Sequence, residues 1–290
     1  MRASLRTVLG QENVNFLLTN RIPRYALTRF MGRFSKVEFA PVRAASIALW
    51  RLFCDVDLSD SKERRFRSLH AAFIRELRHG ARRVDPDPAA VTSPCDAIVG
   101  AFGRIENGTA CQIKGAPYPI AELLGSGEEA ARLEGGWFVT LRLTAGMYHR
   151  FHAPHDLAVE QVRYIAGDTW NVNPIALKRI ERLFCKNERA PITIRLEGAG
   201  EVGGTRLVLV PVAAVLVASI RLPWLGERPV RAGGARVEPC TARFAKGEEM
   251  GWFEHGSTIV VLAPPHCAPV AGLSEGREIR MGEKLLRVGG

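Results

Sequence analysis

One aspartate, two histidines and one serine stand in settings suited to activating a hydroxyl. Asp96 follows a proline in Ser93-Pro94-Cys95-Asp96-Ala97. His149 and His152 lie in Gly146-Met147-Tyr148-His149-Arg150-Phe151-His152-Ala153-Pro154. Ser257 follows a glycine in Phe253-Glu254-His255-Gly256-Ser257-Thr258, directly before the apolar, β-branched run Ile259-Val260-Val261-Leu262. A serine nucleophile, an imidazole base and a carboxylate that orients the imidazole are the parts of a hydroxyl-activating triad. Each part also has a structural use. Asp96 can cap a turn, both histidines can be hydrogen-bonded inside a core, and Gly-Ser is a common turn.

These residues have to be positioned by the rest of the chain. With 290 residues, 47% hydrophobic content and 17 prolines, the sequence suits a compact fold with many turns. The spacing predicts helices over 21–34, 43–53 and 62–78, and short helices over 120–124 and 127–133. After the break at Asp85-Pro86-Asp87-Pro88 the chain reads as β-rich. Strands are predicted over 97–102, 110–113, 137–143, 161–165, 192–196, 207–220, 259–262 and 284–288. The expected fold class is α+β: a basic helical segment, 1–83, followed by a β-rich catalytic domain, 84–290. No secretory signal is read at the start, and the longest apolar run, 207–220, is too short to span a bilayer and contains Pro211.

Charge is unevenly distributed. Residues 1–83 carry 17 Lys and Arg against 7 Asp and Glu, whereas 84–290 carry 23 of each, so the whole net charge of +10 belongs to the N-terminal segment. Such a region fits nucleic acid, an anionic membrane surface, or simply a solvated face. Aromatic and other apolar residues between arginines, as in Tyr25, Phe30, Met31 and Phe34, suit helices lying in a lipid interface as well as helices packed on a core. The six cysteines form no CxxC pair and are expected to be reduced; no metal site is expected.

The segments around Asp96, His149–His152 and Ser257 take on a joint meaning when combined with Asn173-Pro174-Ile175-Ala176-Leu177 and Leu183-Phe184-Cys185-Lys186-Asn187-Glu188-Arg189. In this order and spacing they resemble the phosphatidylserine decarboxylases, of the longer membrane-associated bacterial type. The likeness extends to Ile22-Pro23-Arg24 through Phe34, to Phe73–Leu77, and to Gln112–Tyr118 with Leu123-Leu124-Gly125.

The resemblance implies a self-processing, pyruvoyl-dependent decarboxylase. Within it, His152 takes the proton of Ser257 while Asp96 orients the imidazole. Ser257 then attacks the carbonyl of Gly256, whose missing Cβ permits close approach. Cleavage at 256/257 gives a β chain of 1–256 and an α chain of 257–290, the latter starting with a pyruvoyl group derived from Ser257. That group forms a Schiff base with phosphatidylserine, carbon dioxide leaves, and His149 returns a proton to give phosphatidylethanolamine. The implied partners are phosphatidylserine and an anionic membrane surface, with a homodimer as the assembly and no nucleic acid. The implied location is peripheral, on the cytoplasmic face of the cell membrane. Three departures stand out: Ala97 and His255 occupy positions usual for glycine and for leucine or valine, and Ala213, Ala214 and Ala218 stand where glycines are expected. The alternatives are a Ser-His-Asp hydrolase without self-cleavage and a non-catalytic membrane-binding module.

Overall fold

The computed structural model describes residues 24–214, 220–226, 230, 234–254 and 257–289. Its architecture is α+β and strand-rich, as expected. Among the described residues, nine strands form the largest sheet, which is antiparallel throughout. Its path runs through 236–239, 157–164, 192–196, 206–213, 257–263, 137–143, 97–104 and 278–279, with 243–244 also pairing to 157–164.

The Ser257–Ala263 strand lies inside this sheet, and all seven of its residues are buried. Its β-branched composition suits a strand covered on both faces. On one side it pairs with 137–143, Ser257 opposite Leu143; on the other it pairs with 206–213, Ser257 opposite Ala213. Ser257 is therefore the first residue of a central strand rather than part of a free turn.

A small sheet of Ile220–Arg221, Glu249–Phe253 and Arg150–His152 brings the histidine motif beside the chain that leads to residue 257. The close approach in this sheet requires Gly251. A Cβ there would lie 2.2 Å from the Arg221 carbonyl oxygen and 2.9 Å from the Phe151 ring.

The N-terminal helices differ from expectation in one place. Helices form at Arg24–Phe34 and Ala40–Phe53, but the predicted 62–78 helix shrinks to Leu69–Phe73. Backbone pairing between Ser61 and Leu77 closes the surrounding residues into a loop instead. The loop is fixed by Arg75, whose guanidinium donates to the Asp57 and Met147 carbonyls at 3.2 and 3.4 Å. The predicted 207–220 strand is also interrupted: it runs from Arg206 to Ala213, and Ile220–Arg221 belongs to another sheet. Ala218 and the stretch around it fall outside the described residues.

The N-terminal segment is docked on the β-rich part. Trp50 Nε1 donates to the Ala145 carbonyl at 3.0 Å, and Gly146 lies so close that a Cβ would stand 2.4 Å from the Asp55 carbonyl oxygen. None of the six cysteines is bridged.

Replacing Gly251 by Ala forces the two strands apart. The expected loss is about 1–3 kcal/mol of stability, read as a lower urea midpoint; an unchanged midpoint would show that the strands tolerate a Cβ.

Candidate active site

Ser257 lines a cavity of about 420 Å³ whose other walls include Met31, Trp50, Leu69 and Phe73 from the N-terminal segment and Leu143 and Val172 from the β-rich part. The Ser257 hydroxyl is fully buried and has no hydrogen-bond partner among the described residues. Thr258 beside it shares that condition, but of the two only Ser257 lines the cavity. A buried hydroxyl without an acceptor forfeits about 1–3 kcal/mol. Its lone pairs remain uncommitted, which suits a nucleophile. His255 and Gly256 lie outside the described residues.

His149 stands behind one wall of this cavity. Its ring packs on Phe73 with centroids 4.0 Å apart, and its own carbonyl accepts from Phe253 N at 3.0 Å. The side chain is fully buried. Nδ1 is 2.8 Å from the Met147 carbonyl oxygen, which can only accept, so Nδ1 carries a proton. In the neutral ring Nε2 is then the acceptor nitrogen.

His152 is held elsewhere. It borders a second concavity with Tyr148, Arg82 and Glu249. Its Nδ1–H donates to the Gly247 carbonyl at 2.9 Å, so in the neutral ring Nε2 accepts the Tyr148 hydroxyl at 3.0 Å. Burial pushes the imidazole down to about 4; the Gly247 carbonyl opposes this, and Arg150 adds to the depression. The ring is therefore neutral at pH 7, with its basic nitrogen capped by a phenol whose own ionisation is suppressed by burial.

Asp96 is close to His152 but not bonded to its ring. The backbone joins the two regions, with His152 N donating to the Pro94 carbonyl at 2.7 Å. The Asp96 carboxylate instead accepts from Arg82 Nε at 2.9 and 3.1 Å and from Met281 N at 2.9 Å. Arg82 also pairs with Asp60 at 2.8 Å. Burial disfavours the Arg82 charge, but the two carboxylates outweigh it and raise its pKa. The structure thus brings Asp96 and His152 into one neighbourhood and His149 to the wall of the Ser257 cavity. No hydrogen bond links His152 with Ser257.

Several contributors were not singled out in the sequence. Tyr148 lies inside the histidine motif, yet its bond to His152 depends on folding. Asn187 connects two walls: its amide donates to the Trp170 and Ala213 carbonyls, both at 2.8 Å. This ties the loop carrying Asn171–Asn173 to the residue paired with Ser257. Trp50 and Phe73 read as apolar helix residues, Phe73 also within the Phe73–Leu77 likeness, and nothing local indicates that they face this cavity.

The family model for phosphatidylserine decarboxylase matches residues 69–287. A protein of Brevibacillus brevis named phosphatidylserine decarboxylase proenzyme is 32% identical over 273 residues, covering 92% of this chain and 95% of its own. One of Aliivibrio fischeri with the same name is 32% identical over 290 residues, covering 96% and 99%. One of Vibrio campbellii, again so named, is 34% identical over 252 residues, covering 83% and 86%. The chain belongs to the phosphatidylserine decarboxylase family.

The depressed His152 pKa has a definite sign. The unfolded imidazole binds its proton near pH 6.5 and the folded one near 4, so the unfolded state binds more protons between them. Stability is full above pH 6.5 and falls as pH drops towards 4, by at most about 3 kcal/mol. In an uncleaved Ser257→Ala background, His152→Gln should flatten that part of the urea-midpoint profile. An unchanged profile would remove His152 as its source.

Proposed function

We propose that this chain is a self-processing phosphatidylserine decarboxylase that makes its pyruvoyl group from Ser257. The observation that carries the reading is the buried, unpartnered Ser257 hydroxyl at the wall of an apolar cavity, in a chain of this family. A group built on residue 257 fits that position, with its backbone held by strands on both sides.

In the proposed processing, His152 accepts the Ser257 proton and Asp96 supports the resulting charge. The Ser257 oxygen bonds to the Gly256 carbonyl carbon as the amide C–N bond breaks, giving an ester and a free amine. Loss of the Ser257 α-proton then breaks the Cβ–O bond, so Gly256 leaves as a carboxylate. Water replaces nitrogen at the resulting unsaturated residue and ammonia departs. The present ring partners of His152 require that it leave Tyr148, or act through it, to reach Ser257. The 34-residue product, 257–290, would remain attached through its pairing with 137–143, 206–213, 97–98 and 90–92.

The pyruvoyl ketone supplies an electrophile for the substrate amine and a sink for the electron pair left by carbon dioxide. His149, beside the cavity wall, returns a proton to the substrate carbon. Met31, Trp50, Leu69 and Phe73 exclude water and offer apolar contact to the lipid.

The membrane reading draws support from the two long N-terminal helices. Phe30, Phe39, Leu49 and Phe53 are 58%, 67%, 56% and 57% exposed. On the Ala40–Phe53 helix the half-buried residues Ile47, Trp50 and the following Cys54 recur at helical spacing, while Leu49, Leu52 and Phe53 face outwards. An apolar outer face is costly in water and suits a lipid interface. Arg43, Arg51, Arg64 and Arg65 line a concavity beside it. They would meet anionic headgroups at about 1 kcal/mol each. No described helix is long and apolar enough to cross a membrane.

Two experiments test this reading. The mass of the purified chain should reveal two fragments, the smaller blocked at its N-terminus and reactive towards hydroxylamine. Ser257→Ala should abolish cleavage and decarboxylation together, while His149→Ala should cleave but lose about 10²–10⁴-fold in decarboxylation. Loss of cleavage in the His149 variant would exchange the two histidines. For the membrane, sedimentation with vesicles should require anionic lipid and weaken with salt, and Leu49→Asp with Phe53→Asp should release the protein. Binding indifferent to all of these would sink the interfacial role of the helices.

A further inference from the structure

Arg142 lies one position before the end of the Trp137–Leu143 strand, directly opposite Thr258, and it lines the same cavity as Ser257. It is the only charged side chain among the described residues lining that cavity. The other shielded arginines around the site have partners. Arg82 pairs with Asp96 and Asp60, Arg150 with Glu249, and Arg75 and Arg189 donate to backbone carbonyls. Arg142 makes no hydrogen bond or ion pair with any described residue. Burial lowers its pKa, and no carboxylate offsets the effect. A part-buried cation without a counter-charge is costly, so its position beside the reacting residue calls for an anion brought by a ligand.

We propose that Arg142 is the anion-recognition residue of this site and that it binds the phosphodiester of the substrate, not its carboxylate. The inference rests on the reading of Ser257 given above. The choice between the two anions follows from the reaction. The carboxylate loses its charge as carbon dioxide departs, so a guanidinium paired with it would stabilise the ground state more than the transition state and slow the reaction. The phosphodiester keeps its charge throughout, so pairing with it holds the lipid in place without opposing decarboxylation.

The reach is suitable. The phosphorus lies a few bonds from the serine nitrogen that reacts at residue 257. Paired residues on adjacent antiparallel strands have Cα atoms about 4.5–5.5 Å apart. An arginine opposite Thr258 starts within one residue of the reacting position but on the other face of the sheet, so it meets Ser257 only at the strand end, where both residues line the cavity; its planar fork suits two phosphate oxygens at once.

The test compares wild type with Arg142→Gln and Arg142→Lys on two substrates. One is short-chain phosphatidylserine; the other is a serine O-alkyl ether with the same amine and carboxylate but no phosphate. In Arg142→Gln the ratio of kcat/KM for the phosphate-bearing substrate over the ether should fall roughly 30- to 100-fold. The loss should appear mainly in KM, with Arg142→Lys between it and wild type. An unchanged ratio overturns the proposal, whether both activities fall together, as for a carboxylate contact or a structural role, or neither falls. Fragment masses are read first. A wild type that does not split defeats the Ser257 reading and, with it, this proposal. A variant that alone fails to mature moves the test to processed wild type, treated with phenylglyoxal. Dibutyl phosphate should protect the Arg142 peptide, and butyrate at equal ionic strength should not; no protection, or equal protection by both, overturns the assignment.

Discussion

The two-sided pairing of the Ser257–Ala263 strand is the constraint on which the rest of the site depends. A strand paired on both edges cannot shift register without turning its buried side chains to the other face. Residues 257–263 are all buried, so Ser257 has one available position. That fixes the hydroxyl at the cavity wall, at the first position of the ladder. The same pairing explains how a chain cut at this point would keep its C-terminal piece. The newly formed terminus would already be held by backbone hydrogen bonds on both sides.

Around that strand the ionisable groups follow a consistent economy of charge. Asp96 is neutralised by Arg82 and a backbone amide, and His152 is kept uncharged between a carbonyl and a phenol. A neutral imidazole is ready to accept a proton, but a pKa near 4 makes it a weak base. In the proposed processing, a single proton transfer to it, supported by the nearby carboxylate, would suit an event that happens once per chain. His149 occupies a different setting. It is packed on Phe73 beside the cavity, where the proposed decarboxylation would need a proton at each turnover. Two histidines close in sequence are thereby given separate surroundings.

The N-terminal segment unites two requirements of a lipid-directed enzyme. Its inner residues, Trp50 and Phe73, close the cavity over Ser257, while its outer face presents Leu49, Leu52 and Phe53. A lipid drawn from an interface at that outer face would have a short route to the reacting residue. The basic segment is held by Arg75 and Trp50 against backbone carbonyls of the β-rich part.

Local sequence determined the elements whose signals are short-range. The β-branched run after Ser257, the Trp137–Leu143 and Ile192–Leu196 strands and the two N-terminal helices follow from periodicity and side-chain shape. Motif order supplied the family and singled out Asp96, His149, His152 and Ser257 as candidates. The tertiary structure decided what those identities could not. Leu69–Phe73 is a short helix because Arg75 satisfies distant carbonyls and the flanking chain pairs with itself. Asp96 faces Arg82, and His152 faces Tyr148 and Gly247, because pairing between residues about a hundred positions apart fixes their neighbours. Arg142 reads locally as an ordinary exposed position of an alternating strand. Only the strand opposite it, supplied by the far end of the chain, makes it a neighbour of Ser257. A side chain's type is local information, but its partners are set by long-range packing, and it is the partners that determine its chemistry.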